Sequence, residues 1–246
     1  GARDRAGEEA MAAGLVLHAM AQTLGLSGLP PVPLSHAEII NEEMGHAALW
    51  PSSLERVGAV LVALDGQFCP EASWNPAQPA VLLPGAFHPL HAGHLALADL
   101  AQRLEGKPAA FELSVANVDK AELTLEEVRR RLGQFIGRAE VWLTRAPRFV
   151  DKARLFPGAT FALGADTAAR LVEPRYYQNG EEGLRHAFDF ISRRACRFLV
   201  AGRAMAGGGC LCLDDIAIPR EHAHLFRAIP PEEFRMDVSS TLLRER

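Results

Sequence analysis

Lysine is scarce in this chain: among 246 residues it occurs only as Lys107, Lys120 and Lys152. A site that needs an ammonium group therefore has few candidates. Cysteine is scarce too. Four cysteines in so long a chain do not make a disulfide framework and point to a reducing cytoplasm. No run is apolar enough to cross a membrane, and no signal-peptide pattern is present. The apolar-leaning stretch 11–20 is broken by Gly14 and His18 and preceded by Glu8 and Glu9, which reads as a packed helix. Excess positive charge is also absent. A net charge of −4 argues against a general nucleic-acid binder, which needs a broad basic face. No internal repeat is visible. What remains is a chain that is 48% hydrophobic, enough to bury a core without disulfide or metal staples. Its length fits one large domain, or one domain with an appendage.

The most informative stretch is 81–95, VLLPGAFHPLHAGHL. Val81, Leu82 and Leu83 form a short apolar run, as a buried strand does. Pro84 and Gly85 stop it. Pro89 suits the first turn of a helix, where its missing N–H costs nothing. Leu90, Leu97, Leu100, Ala101 and Leu104 then fall on one side at helical spacing. The stretch predicts strand, glycine turn, helix. His88, His91 and His94 are three apart, which on a helix start stacks them along one face. Gly85 lets the backbone approach a ligand, and Gly93 removes a side chain beside His94. Free N–H groups at a helix start, flanked by imidazoles, suit a phosphate.

Ahead of this stretch, residues 8–24 read as a helix and 28–33, GLPPVP, as a linker. Ser35 with Glu38 forms a capping box for a helix to about residue 49. Residues 57–64 read as a strand closed by Asp65-Gly66, and 70–79 as a second linker. A domain boundary is expected there, with an N-terminal appendage over 1–79 and the main domain over 80–246. From residue 80 onward strand and helix signals alternate. Strands are expected over 110–118, 140–144, 160–163, 197–201 and 226–229. Helices follow the Thr124/Glu127 capping box and Gly164, and span 149–155 and 183–194. Such alternation predicts an α/β fold, a parallel sheet with helices on both faces. Ligands in such sheets bind off the carboxyl ends of the strands, where strand order reverses. Gly85, Asn117, Gly164 and Gly202 each follow a predicted strand and are expected to converge there.

Gly85-x-Phe87-x-Pro89 followed by His91-Ala92-Gly93-His94 resembles the HxGH signature of the nucleotidylyltransferase superfamily. Val238-Ser239-Ser240-Thr241-Leu242-Leu243-Arg244 resembles its second signature, usually written ISSTxxR. Serine and threonine at a helix start direct hydroxyls and N–H groups at an anion, and Arg244 adds a guanidinium fork. A well-capped terminal helix with a solvated arginine explains the same residues without a ligand. Asn117-Val118-Asp119-Lys120 and the following LTLEEVR are similar to phosphopantetheine adenylyltransferases, which keep a phosphate-binding lysine there. Gly164-Ala165-Asp166-Thr167 resembles the G-x-D element of nicotinamide- and nicotinate-mononucleotide adenylyltransferases, whose aspartate contacts nucleotide. A helix N-cap is the other role open to Asp166. Gly202-Arg203 sits where relatives place a residue near the nucleotide. Tyr176 and Tyr177 either stack on a base or pack. His88 is a departure, since asparagine or aspartate commonly precedes the motif proline, and it leaves the acceptor open. The resemblance extends over 80–246 and is closest to a little-characterised branch linked to CinA-like domains. Residues 1–79 then read as a remnant of such a domain plus linkers.

This resemblance implies a Rossmann-like domain that transfers AMP from ATP, carried with Mg²⁺, to a phosphorylated small molecule, releasing pyrophosphate. It makes His91, His94, Lys120 and Arg244 catalytic. It places Gly85, Phe87, His88, Gly93, Gly164, Asp166, Arg203, Ser239, Ser240 and Thr241 around the nucleotide. The implied partners are the triphosphate and the acceptor, with no nucleic acid and no membrane, and a homo-oligomer is left open. A cytidylyltransferase using CTP and a catalytically weak nucleotide-binding module serving a CinA-like domain are the alternatives. Direct metal binding fits less well. The three histidines lack a carboxylate on their helix face to orient them. Cys210-x-Cys212, considered with His222-x-His224, is spaced too closely for the usual zinc site. Aminoacyl-tRNA synthetases share a histidine-glycine-histidine motif, but they need a longer chain and a lysine-rich second motif.

Overall fold

Alternation along each strand decides the architecture. In β2 (Val81–Pro84), Val81 and Leu83 belong to one apolar cluster and Leu82 to another. Successive strand residues point to opposite faces. In β3 (Ala109–Ser114), Phe111 and Leu113 join the first cluster and Ala110 the second. A sheet apolar on both faces must be covered on both. The computed structural model describes residues 5–24, 51–69, 80–117, 121–205 and 209–236. In it, α3 (Ala92–Glu105) and α4 (Leu125–Leu132) cover the first face through Leu97, Leu100 and Val128. The second face is covered by α5 (Phe149–Leu155), α6 (Ala165–Leu171) and α7 (Glu181–Arg193), through Ala153, Ala168, Leu184 and Phe188.

The remaining strands are β1 (Ala59–Val62), β4 (Val141–Thr144), β5 (Thr160–Gly164), β6 (Arg197–Ala204), β7 (Cys210–Leu211), β8 (Phe226–Ala228) and β9 (Arg235–Met236). The order across the sheet is β1-β4-β3-β2-β5-β6. β8 pairs with the same residues of β6 that β5 does, so it lies on the opposite edge. The pairings from β4 to β8 are all parallel. With β2 taken as the first parallel strand, the order is that of a doubly wound, Rossmann-like fold. It reverses between β2 and β5, where Val81 faces Thr160. Short β7 and β9, which no sequence pattern announces, extend β6 beyond the parallel core.

The strand expected over 57–64 is β1, and it is built into the sheet. It runs antiparallel to β4, with Val60 opposite Leu143. Leu54 of α2 (Ser52–Arg56) and Val60 and Val62 of β1 are buried in the same cluster as Leu83 and Phe111. A boundary at residue 80 therefore cuts through a shared core. The helix expected over 8–24 is α1 (Arg5–Leu24). The Ser35 helix and both linkers lie outside the described residues. Among the described residues no helix is long and apolar enough to cross a membrane.

Candidate functional site

β2 ends where strand order reverses, and the chain passes from there into α3. Phe87 turns its ring away from that edge. It is 2% exposed and meets Phe111 and Phe135 edge-on, with centroids 5.4 and 5.1 Å away. His94 rests edge-on to the same ring at 5.1 Å. Phe87 thus forms a floor beneath the two histidines, its ring packed into the core. The structure also gives Gly85 a different reason for being glycine, since a Cβ there would lie 2.7 Å from the Phe87 ring.

The first helical residue of α3 is Ala92, so two of the three histidines form its start. His91 is the N-cap and His94 the third helical residue. Their rings stack 3.6 Å apart with planes 21° from parallel. The His91 backbone N–H donates to His94 Nδ1 at 3.3 Å. With Nδ1 accepting, the neutral His94 ring carries its proton on Nε2, where it is a donor. Burial, followed by the charge His91 would carry, pushes His94 down to about 4. His91 is lowered by burial first and by the Arg203 guanidinium second. Both rings are therefore neutral at pH 7. His91 is 9% exposed. As N-cap its side chain faces the His94 backbone N–H while the His94 side chain accepts the His91 N–H, a reciprocal capping box. It sits at the start of a fourteen-residue helix, whose free N–H groups favour an anion. Gly93 occupies the first turn of that helix.

His88 does not join this stack. Its Nδ1 lies 3.3 Å from Glu127 Oε1 and contacts Arg130. Residues of α4 and the turn after it hold the loop. Arg131 donates to the Ala86 carbonyl at 2.8 Å. Gln134 Nε2 donates to the Phe87 carbonyl at 2.9 Å, and Gln134 Oε1 accepts the Leu90 N–H at 2.8 Å. Glu127 accepts from Arg130 and Arg131, each at 2.7 Å. The Arg130 hydrogen bond, with help from Arg131, holds its carboxyl down to about 2. Only half of the expected capping box forms through these side chains, the Glu127 N–H donating to Thr124 Oγ1 at 3.2 Å. Sequence reading missed this clamp. Its trace is the spacing of Glu127, Arg130, Arg131 and Gln134, which marks one polar helix face.

Across the reversal point, β5 ends in Gly164, the N-cap of α6. A Cβ there would lie 2.8 Å from Asp166 Oδ1. Asp166 forms an ion pair with Arg203 of β6, and Arg203 lies near enough to His91 to lower its titration. His91, His94, Asp166 and Arg203 thus converge from three strand ends. Thr167, the next residue after Asp166, lines a cleft of about 700 Å³ between α5, α6 and α7. That volume is usual for a small-molecule site. Phe149, Leu171 and Phe190 contribute apolar surface, Arg148, Arg170 and Arg193 contribute charge, and no acidic residue lines it. Tyr176 lines it as well, 5.5 Å below the Arg170 guanidinium. Tyr177 is held by packing. Its hydroxyl donates to the Leu171 carbonyl at 2.7 Å, and burial pushes it up to about 12.

Lys120, Ser239, Ser240, Thr241 and Arg244 lie outside the described residues. Among the described residues no three His, Cys, Asp or Glu side chains are grouped to hold a metal. His222 is turned to Asp189 at 2.9 Å and His224 to Ser192 at 3.4 Å. A further polar group, unforeseen from sequence, supports the cleft. Buried Lys152 donates to both oxygens of buried Glu112, at 2.8 and 2.7 Å, and to the Ala146 carbonyl at 2.6 Å. Pro147 and Arg148 of the adjoining loop line the cleft. No family model matches the chain, and no curated protein matches it.

Proposed function

We propose that the protein is a nucleotidylyltransferase that moves AMP from ATP onto a phosphorylated, mononucleotide-like acceptor and releases pyrophosphate. The observation that carries this reading is the stacked, reciprocally capped His91–His94 pair at the start of α3, where strand order reverses and the Arg203 charge acts on His91. A site of neutral imidazoles, helix N–H groups and one guanidinium is built for phosphate oxygens. The two-motif resemblance supplies the reaction class. The acceptor phosphate is largely a dianion near neutral pH, since its second pKa is about 6. One of its oxygens attacks the α-phosphorus as the bond to the bridging oxygen of the β-phosphate breaks. No general base and no covalent enzyme intermediate are required.

In this reading His91 and His94 bind the triphosphate and stabilise charge as it moves to the leaving pyrophosphate. Arg203, held by Asp166, lies beside the nucleotide. Lys120 holds the acceptor phosphate, and Ser239, Ser240, Thr241 and Arg244 hold the β- and γ-phosphates. The substrate is the magnesium salt of the triphosphate. Asp166 is engaged with Arg203, which fits a metal that arrives on the nucleotide better than one held by the protein. The cleft with Tyr176 and Arg170 suits a flat, anionic acceptor body. The test is a pyrophosphate-release screen of nucleoside triphosphates against phosphorylated acceptors. Release that requires both ATP and an acceptor is expected. Release with CTP selects the cytidylyl alternative. Tight nucleotide binding without release selects the binding module, and neither binding nor release rejects the reading.

A further inference from the structure

One stripe of α7 lines the cleft along most of the helix. Gly183, His186, Ala187, Phe190 and Arg193 recur three or four residues apart and so share a face. Ten residues of helix rise about 15 Å, so the cleft is elongated. Thr167, next to Asp166 of the anion site, lines it, and so does Arg193, where α7 ends just before the start of β6. The cleft therefore reaches from the carboxyl edge of the sheet towards the opposite edge. Charge is sorted on α7. Arg148, Arg170, Arg193 and His186 line the cleft with no carboxylate, in a chain of net charge −4. The carboxylates of the same helix, Glu181 and Glu182, line a separate groove with Glu173, Asp215 and Glu221. Arg148 is held by Asp151 at 2.9 Å. Among the described residues Arg170 and Arg193 enter no ion pair. The apolar walls are fixed by packing of their own. Phe149 meets Phe161 and Phe198, with centroids 5.5 and 5.4 Å away. The Phe190 ring lies 5.5 and 5.4 Å from the guanidinium groups of Arg154 and Arg194. Gly183 lets the turn before α7 close on the helix, since a Cβ there would lie 1.8 Å from the Gln178 carbonyl oxygen.

From this we infer that the cleft binds an elongated apolar anion, with its body on Phe149, Leu171 and Phe190 and an anionic group at Arg193. A purely apolar ligand would use the aromatic walls and leave the arginines idle. A small inorganic anion would use the arginines and leave the walls idle. A ligand that carries both features engages both, which is how a mostly apolar pocket with a few placed polar groups selects its occupant. Arg170, over the Tyr176 ring at 5.5 Å, supplies a second guanidinium along the same cleft. Identifying this ligand with the acceptor rests on the function proposed above; the binding of an apolar anion does not. Under that function the acceptor phosphate sits at the anion site, and a second anionic group of the same molecule lies at the far end of its apolar body.

The test uses the full chain and two probes, 8-anilinonaphthalene-1-sulfonate and N-phenyl-1-naphthylamine, the same aromatic body without the sulfonate. Calorimetry should show saturable binding of the sulfonate, about tenfold or more tighter than the neutral amine. Arg193→Gln and Arg170→Gln should each weaken the sulfonate by about tenfold and leave the amine unchanged. Phe190→Ala should weaken both probes, with a thermal melt to show that it folds; if it does not, the two exposed arginines decide. Equal affinity for the two probes, no saturable binding, or sulfonate binding that neither arginine variant alters overturns the inference. In the pyrophosphate-release screen Arg193→Gln should raise the acceptor's KM by more than it lowers kcat. Release with an unaltered KM overturns the identification with the acceptor. Sulfonate binding as expected, with no release from any acceptor, rejects the proposed function and leaves the cleft as a site for an apolar anion.

Discussion

The ring of His91 lies on the ring of His94, centroids 3.6 Å apart, and neither gains from protonation in the ligand-free fold. An unfolded histidine titrates near about 6.5, whereas His94 is pushed down to about 4. Between those values the unfolded chain binds more protons than the folded one. Stability must therefore fall as pH drops from about 6.5 towards 4, and the His94 contribution is fully present above that window. Denaturant midpoints for the wild type and His94→Gln, followed from pH 7.5 to 4, isolate the effect from the carboxylates. The wild type should lose more stability than the variant across the window. Parallel curves would show that His94 titrates normally.

Catalysis gives the same pair a second test. His94→Ala should lower turnover by about a hundredfold or more with the fold intact, the scale seen when one charge-stabilising donor is removed. Phe87→Leu leaves the imidazoles in place and alters only the floor. Its effect should appear first in thermal stability, because Phe87 contacts Phe111 and Phe135 as well as His94. Unchanged turnover in folded His94→Ala would sink the assignment.

How much of this was legible in sequence follows from where each signal resides. The parallel core was readable because strand and helix periods differ and are local, as in Val81-Leu82-Leu83 followed by Leu97 and Leu100. His91, His94, Asp166 and Arg203 were singled out by the resemblance; that Asp166 meets Arg203 and that His91 stacks on His94 came only with the fold. The inward turn of the Phe87 ring was not legible, because a motif position does not reveal which way a ring points. The Gln134 clamp and the Lys152–Glu112 pair were invisible for another reason. Each joins residues about 40 or more apart in the chain, and such pairings are specified by the fold alone. β1 was seen as a strand, but nothing local says that its partner is β4.

The clamp is testable through Gln134, which satisfies two backbone groups of the motif loop at once. Gln134→Leu leaves the Phe87 carbonyl and the Leu90 N–H without that partner. The expected loss is about 1–3 kcal/mol in stability. Hydrogen exchange should accelerate over residues 86–91 before it does elsewhere. A variant as stable as the wild type, with an unchanged loop, would mean that water replaces the side chain without cost.

Truncation addresses β1. A fragment of residues 80–246 loses Leu54, Val60 and Val62 from the core and bares the edge of β4. A fragment of 51–246 keeps them. The longer piece should melt cooperatively, and the shorter should melt lower and more broadly or aggregate through its exposed strand. Equal, sharp transitions would show that β1 is dispensable and restore a boundary near residue 80.

Buried Lys152 supplies the last prediction. The residue is 5% exposed and its partner Glu112 is 1% exposed. Thr144 Oγ1 also donates to Glu112, and the Ala146 carbonyl accepts from Lys152. Removing one member strands the other as a buried charge, at a cost of about 3–5 kcal/mol. Lys152→Met alone should therefore be strongly destabilising. Replacing both, as Lys152→Met with Glu112→Leu, removes the stranded carboxylate and should recover most of the loss, because apolar replacements of buried pairs are often neutral. The double variant still lacks the ammonium that fixes Ala146, at the start of the loop carrying Pro147 and Arg148 into the cleft. It should fold yet bind an anionic probe in that cleft more weakly than the wild type. Equilibrium unfolding and calorimetry separate the two effects. A double variant no more stable than Lys152→Met would refute the stranded-charge account. A stable double variant with unchanged binding would confine the pair to the core and detach it from the cleft.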